Sequence, residues 1–250
     1  LLTQAKKARV CGNGKPLKPK TKMEYKTFAA CTSMTGMRIE ISTAAFEGRL
    51  LYAADAVNAF AQSGPLKKPC YLMVDEAFRE WYYERYKIML PANALIELLS
   101  SIQGHPDAGG NWQTMVNTAL QKLKFIRLVH EPCLYRKGED PKKDVLMCRQ
   151  VDDLLFSVFA RKEFEGIVNE MKKHMNIEAE PELCKNFNGC EIDQRNEYIA
   201  IRVHKYILKL VETYGWSQEN YTRAPKAPLS EALVKEIVEA GKGPLARSPE

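Results

Sequence analysis

The sequence lacks a CxxC pair, a long apolar run and an internal repeat, and each absence removes a class of protein. With seven cysteines, an odd number, and no secretory h-region in view, a disulfide scaffold is disfavoured and a reducing compartment is expected. The longest apolar run, Leu154 to Ala160, already contains a serine and falls far short of the roughly 20 residues a spanning helix needs. A soluble chain with no membrane partner is therefore expected. What is present is enough apolar material, 45% of 250 residues, to fill the core of one large domain or two small ones. Collagen-like, coiled-coil and disordered readings fail on that composition. Beginning on Leu1 and ending on Ser248-Pro249-Glu250, the chain is expected to be an excerpt of a longer protein.

Negative charge is missing from one stretch. Residues 1–23 hold Lys6, Lys7, Arg9, Lys15, Lys18, Lys20 and Lys22 and no acidic residue, although the chain as a whole has 37 Lys and Arg against 31 Asp and Glu. Removing those seven leaves 30 against 31, so the excess of positive charge is a property of the arm. Such an arm is either a solvated basic tail or a contact for phosphates, where cations gain affinity by releasing counterions. Composition leaves both open.

Apolar residues recur at helical spacing in three segments. They are Trp112 to Leu123 after the breaker Gly109-Gly110, Arg161 to Met175, and Val203 to Tyr214. Strand character marks Leu51 to Asp55, Cys70 to Val74, Ile126 to Val129, Val145 to Val151, Leu154 to Phe159, Phe187 to Ile192 and Tyr198 to Val203. The interleaving predicts an α+β or α/β chain. Ser217 to Ser230 turns polar, with Pro225 and Pro228, and reads as a linker into a short helix near Glu231 to Ala240.

Acidic residues stand where the pattern disfavours them. Asp152 and Asp153 join two apolar strands, and adjacent carboxylates there repel each other and resist desolvation. A turn would explain them, yet a tight hairpin prefers Gly or Asn at positive φ, and neither is present. Asp55 ends another apolar strand, where it could equally be a helix N-cap. Together, a strand-end Asp and an Asp-Asp hairpin form the carboxylate constellation of two-metal nucleotidyl transfer. Other candidates have plainer readings. His130-x-x-Cys133 and Cys184 with Cys190 fall short of four zinc ligands and read as buried thiols. His105 before Pro106 reads as a turn residue, the stripe Tyr71, Trp81, Tyr82 and Tyr83 as core rather than base-stacking, and the stripe from Val203 to Tyr214 as packing rather than membrane binding.

The chain resembles the reverse transcriptase of copia-type retrotransposons over nearly its whole length, with the motifs in the family's order. Lys7-Ala-Arg-Val10 is similar to an opening basic strand, and Tyr25-Lys-Thr-Phe-Ala29 to a Tyr…Thr-Phe-Ala-Pro segment. Asp55-Ala-Val-Asn-Ala-Phe60 resembles Asp-Val-x-Asn-Ala-Phe of polymerase motif A, and Val151-Asp-Asp153 the Val-Asp-Asp of motif C. Gln103-Gly-His-Pro-Asp-Ala-Gly-Gly-Asn-Trp112 takes the place of Tyr-Gly-Leu-Lys-Gln-Ala-Pro-Arg-x-Trp, and Glu131-Pro-Cys-Leu-Tyr135 that of Asp-Pro-Cys-Leu-Tyr. Phe187-Asn-Gly-Cys-Glu-Ile192 and Lys205-Tyr-Ile207 resemble Phe-Leu-Gly-Ile-Glu-Ile and Lys-Tyr-Ile.

The resemblance implies an α+β right-hand polymerase fold. Fingers and palm would span residues 1–216, with an antiparallel palm sheet packed on helices and most of the thumb absent, and residues 217–250 would be a linker and the start of a connection region. It implies an RNA-directed DNA polymerase in which Asp55 and Asp152 ligand two magnesium ions, with manganese as a substitute, and Asp153 is a further acidic member. The ions would sit about 4 Å apart. Phe60 would be the gate against a ribose 2′-hydroxyl, Lys7 and Arg9 would contact the triphosphate, and the hairpin around Gly189 would hold the primer. The implied partners are a primed RNA or DNA template, deoxynucleoside triphosphates, and the integrase and RNase H regions of a Pol polyprotein. The implied location is a cytoplasmic virus-like particle with a nuclear phase. Gln150, Asp107 and Gly110 depart from the family's Tyr, Gln and Arg. Survival of all three motif carboxylates favours a divergent branch over decay. A catalytically dead nucleic-acid-binding remnant is the alternative, and another palm enzyme such as a nucleotide cyclase is a third reading.

Overall fold

The computed structural model describes residues 11–12, 29–140 and 142–215, and the chain divides after Arg202 into two compact units. In the first unit Ser33 starts α1 (Met34–Glu47), its hydroxyl accepting the Gly36 amide at 2.8 Å as an N-cap and donating to Glu131. β1 (Leu50–Ala56) leads into a 3₁₀ turn at Ala59–Gln62, then β2 (Tyr71–Met73), α2 (Glu76–Tyr86) and β3 (Leu95–Glu97). α3 (Ala108–Lys122) precedes β4 (Ile126–Arg127), β5 (Leu134–Lys137), β6 (Val145–Gln150) and β7 (Asp153–Val158). α4 (Arg161–Met171), β8 (Ile177–Leu183), β9 (Asn186–Phe187), β10 (Cys190–Gln194) and β11 (Ile199–Arg202) complete the unit. α5 (His204–Thr213) belongs to the second unit, and none of its residues is buried, where the spacing predicts a packed face. Among the described residues no helix is long and apolar enough to cross a membrane.

The architecture is α+β, around a six-stranded antiparallel sheet in the order β4-β5-β6-β7-β1-β8. Its middle strands are buried on both faces, which is why they read as continuous apolar runs rather than alternating ones. Tyr52, Ala54 and Ala56 of β1 and Leu154, Phe156 and Val158 of β7 face one core with Trp112, Val116 and Leu120 of α3 and Phe164, Ile167 and Met171 of α4. Tyr52 stacks on Phe164 with centroids 4.8 Å apart, a geometry that contributes about 1 kcal/mol beyond its burial. The alternate residues, Leu51, Ala53 and Leu155, face a second core with Met37, Ile41 and Ala44 of α1 and with Phe187, Cys190 and Ile192. The sheet is thus covered by two helices on one side and by α1 and a small hairpin sheet on the other.

Two expectations change. Phe187 to Ile192 is two strands, not one: Phe187 pairs with Cys190 across Asn188 and Gly189, which hold φ of 49° and 75°. That is the Asn-Gly pair with both central residues left-handed that a two-residue hairpin prefers. The aromatic stripe is not core. Tyr71, Trp81 and Tyr83 are 58%, 50% and 46% exposed, and α2 buries no residue because its aromatics pack on one another, Tyr82 against Tyr86 at 4.7 Å. The thiols do behave as read. Cys133, Cys184 and Cys190 are buried, and burial pushes Cys184 up to about 12.

Candidate active site

β1 and β7 run antiparallel with Leu51 opposite Ser157 and so on down to Asp55 opposite Asp153. Directly opposed residues share a face of the sheet, so Asp55 and Asp153 lie on the same face at the same end, neither on an apolar run's interior nor apart from each other. The ladder extends one step past them, since the Ala56 amide donates to Asp152 O at 2.9 Å. Asp152 occupies the turn itself. Continuing the register outward, Asp153 stands opposite Gln150 of β6, and Asp55 stands opposite Glu178 of β8. A row Gln150, Asp153, Asp55, Glu178 therefore crosses four strands on one face. Like charges in such opposed positions repel. Burial, then the charges of Asp152, Asp55 and Glu180, push the Asp153 carboxyl from 3.8 up to about 6, even though its residue is open to solvent on one side.

The turn is made by Val151 and Asp152, and Val151 has a φ of 56°. A β-branched residue in the left-handed region costs roughly 1–3 kcal/mol and persists only where its surroundings over-determine it. The missing glycine noted in the sequence is thus replaced by strain. Here the Trp112 indole N–H donates to Val151 O at 2.7 Å, tying the turn to α3.

The other expected site residues fall in several places. Phe60 sits in the 3₁₀ turn five residues after Asp55, half-buried against the core that contains α3. Its loop is pinned by Gln62, whose side chain donates to Val57 O at 2.5 Å and to Asn176 O at 2.9 Å and accepts the Asn176 amide at 2.6 Å. Gly189 is at the tip of the β9–β10 hairpin, which packs on the same sheet face as Asp55. Lys7 and Arg9 lie outside the described residues, as do the linker and the helix expected near residues 231–240. Asp107 is the N-cap residue of α3 and its amide donates to His105 Nδ1 at 3.2 Å, so His105 is a turn residue. Gly110 is in the first turn of that helix. The loop before it needs Gly104, with φ of 90°: a Cβ there would lie 1.9 Å from Gly12 O, where the Gly12 amide donates to Gln103 O at 2.7 Å.

The family model for reverse transcriptase (RNA-dependent DNA polymerase) matches residues 2–228. The chain belongs to the reverse transcriptase family. None of the curated proteins matches it. In this reverse transcriptase family chain, Glu178 and Glu180 are acidic neighbours of the motif carboxylates that motif reading passes over. Their signal was present as the alternation Ile177-Glu-Ala-Glu-Pro-Glu-Leu183. Among the described residues no three His, Cys, Asp or Glu side chains are grouped closely enough to hold an ion by themselves. Magnesium is a hard cation commonly held by one or two carboxylates together with substrate phosphates and water. Donor chemistry and the surplus of negative charge around Asp153 both fit it.

Proposed function

We propose that this chain is the RNA-directed DNA polymerase domain of a copia-type retrotransposon, joining a deoxynucleotide to a primer 3′-hydroxyl. The observation that carries this reading is the register of Asp55 against Asp153 beside the Asp152 turn. Asp55 and Asp152 would hold magnesium, with Asp153 as the further carboxylate. Magnesium bound there would lower the pKa of the attacking hydroxyl and offset charge on the departing pyrophosphate. The chain's own share is placement. β1 and β7 hold the carboxylates at one sheet end, Phe60 closes the pocket against a 2′-hydroxyl from its pinned loop, and the Asn188-Gly189 tip supports the primer. Lys7 and Arg9 of the basic arm would contact the triphosphate. Residues 1–216 would be fingers and palm of a right-hand polymerase, with residues 217–250 leading to the next region of a Pol polyprotein in a cytoplasmic particle with a nuclear phase.

Primer extension on an RNA template tests this. Asp55→Asn and Asp152→Asn should each lower extension by roughly 100-fold or more, as expected when a group stabilising transition-state charge is removed. Extension that survives either change would refute the site. The departures at Gln150, Asp107 and Gly110 favour a second reading, an inactive remnant, which predicts template binding without extension by the unmodified chain.

A further inference from the structure

Arg149 lies beneath the Asp152 turn and is 1% exposed. No carboxylate pairs with it among the described residues. Its guanidinium reaches only neutral groups, Val151 O at 3.4 Å, Ala30 O at 3.5 Å, Cys133 Sγ at 3.6 Å and the Tyr135 hydroxyl, and Nε has no partner. A buried cation without an ion pair opposes folding, and an apolar side chain of similar length is often more stable in its place. Fold stability is therefore a poor reason for an arginine here.

Geometry supplies a better one. Arg149 stands opposite Leu154 in the ladder, so it is on the α3 side of the sheet, away from the carboxylate row. From there it shares an acceptor with Trp112, whose indole N–H donates to the same Val151 O. That carbonyl belongs to the planar peptide group that also contains the Asp152 nitrogen. Fixing its direction fixes the plane on the N-terminal side of Asp152. The plane on the C-terminal side is fixed by the Ala56 amide on Asp152 O. Asp152 is thus held through both of its peptide groups, at a turn whose first residue is β-branched and has a left-handed backbone.

We propose that Arg149 is a positioning residue for the Asp152 turn: with Trp112 it clamps the Val151 carbonyl and so holds the strained backbone that presents the Asp152 carboxylate. Its catalytic meaning rests on the polymerase reading above; the clamp does not. The test compares Arg149→Met and Arg149→Lys in the full chain by melting temperature, by amide hydrogen exchange across residues 148–154, and by primer extension. Arg149→Met should melt at or above the wild-type temperature while the turn amides exchange about tenfold faster, since local opening is cheaper without the clamp. Its kcat should fall roughly tenfold or more with KM for the nucleotide within about twofold, the pattern of an interaction that serves the transition state. Arg149→Lys, which keeps a donor for the carbonyl, should recover part of both. Unchanged exchange in Arg149→Met overturns the clamp, and so does a large drop in melting temperature, which would mark Arg149 as a support of the fold. Faster exchange with unchanged kcat overturns its role in the reaction. A wild-type chain that extends nothing while Arg149→Met still exchanges faster would retire the polymerase reading and leave the clamp standing.

Discussion

Replacing Glu40 by glutamine should flatten a pH dependence of stability that the wild-type chain carries. Glu40 is on the buried face of α1 with Met37, Ile41 and Ala44, is wholly buried, and both carboxylate oxygens lack a hydrogen-bond acceptor or donor within reach. Burial pushes its carboxyl well above 4.5, more strongly than the Cys148 thiol and the Arg49 charge pull it down. The thiol is no firm partner, because Cys148 Sγ is already 2.8 Å from Thr32 Oγ1. With the folded value raised, the native state keeps a proton that the unfolded chain releases. The stabilisation is complete below the unfolded value and is lost as pH rises towards the folded one. One proton of difference gives a slope of about 1.4 kcal/mol per pH unit. Urea denaturation at about pH 5 and about pH 6 should therefore show the wild type losing stability relative to Glu40→Gln over that interval, by at most about 1.4 kcal/mol. Any constant cost of burying the amide cancels in the comparison, and so do the other titrating groups, which both proteins share. Parallel stabilities at the two pH values would refute the reasoning and mean that water or a moving side chain solvates Glu40.

Two other perturbations have outcomes set by the same structure. Arg49, whose side chain is 1% exposed, is paired with Asp144 at 2.5 Å, and Asp144 also accepts from Arg136 at 2.5 Å. Asp144→Ala takes the buried carboxylate from the Arg49 guanidinium while Glu47, the residue-144 carbonyl and the Phe159 ring stay beside it, and should cost roughly 3 kcal/mol in urea denaturation, since breaking a buried pair is strongly destabilising. A loss below about 1 kcal/mol would show that the remaining partners suffice. Glu180→Gln should lower the Asp153 carboxyl from its value of about 6, read by carbon NMR titration without metal, but only partly, because burial is the larger cause. Since the folded value lies above the unfolded 3.8, stability contributed by Asp153 is lost as pH rises through about 6, and Glu180→Gln should reduce that loss. No change in the titration would place Glu180 too far away to matter.

Burial patterns decided which elements could be read in the sequence. β1, β6 and β7 lie in the middle of the sheet, so their apolar runs are unbroken, and α3 and α4 present one wide stripe each. Those are the elements that sequence reading placed well, and the carboxylates it singled out lie at one end of β1 and β7. α1 escaped because its buried face includes Gly36 and Glu40 while Ile39 and Phe46 point outward, so its apolar residues keep no single side. β8 escaped because it carries three glutamates and Pro181, a composition that only an edge position tolerates. α2 misled in the other direction, since five aromatics in eleven residues suggested a core they do not join. In the site, Asp55, Asp152 and Asp153 were legible from chemistry out of place. Glu178, Glu180 and Arg149 were not, because their importance comes from register and from a shared carbonyl, which no local pattern records.

The place of β8 has a consequence for how the molecule meets copies of itself. Among the described residues it ends the six-stranded sheet, and an unpaired strand edge is a template on which another chain can add. Glu178, Glu180 and Glu182 set negative charge along that edge and Pro181 removes an amide from it, while the break in register between Tyr52 and Ala54 bends the pairing behind it. The glutamates that burden the neighbouring aspartates thereby guard the sheet against edge-to-edge aggregation, and a variant that relieves the burden with apolar residues would lose solubility as it gained calm.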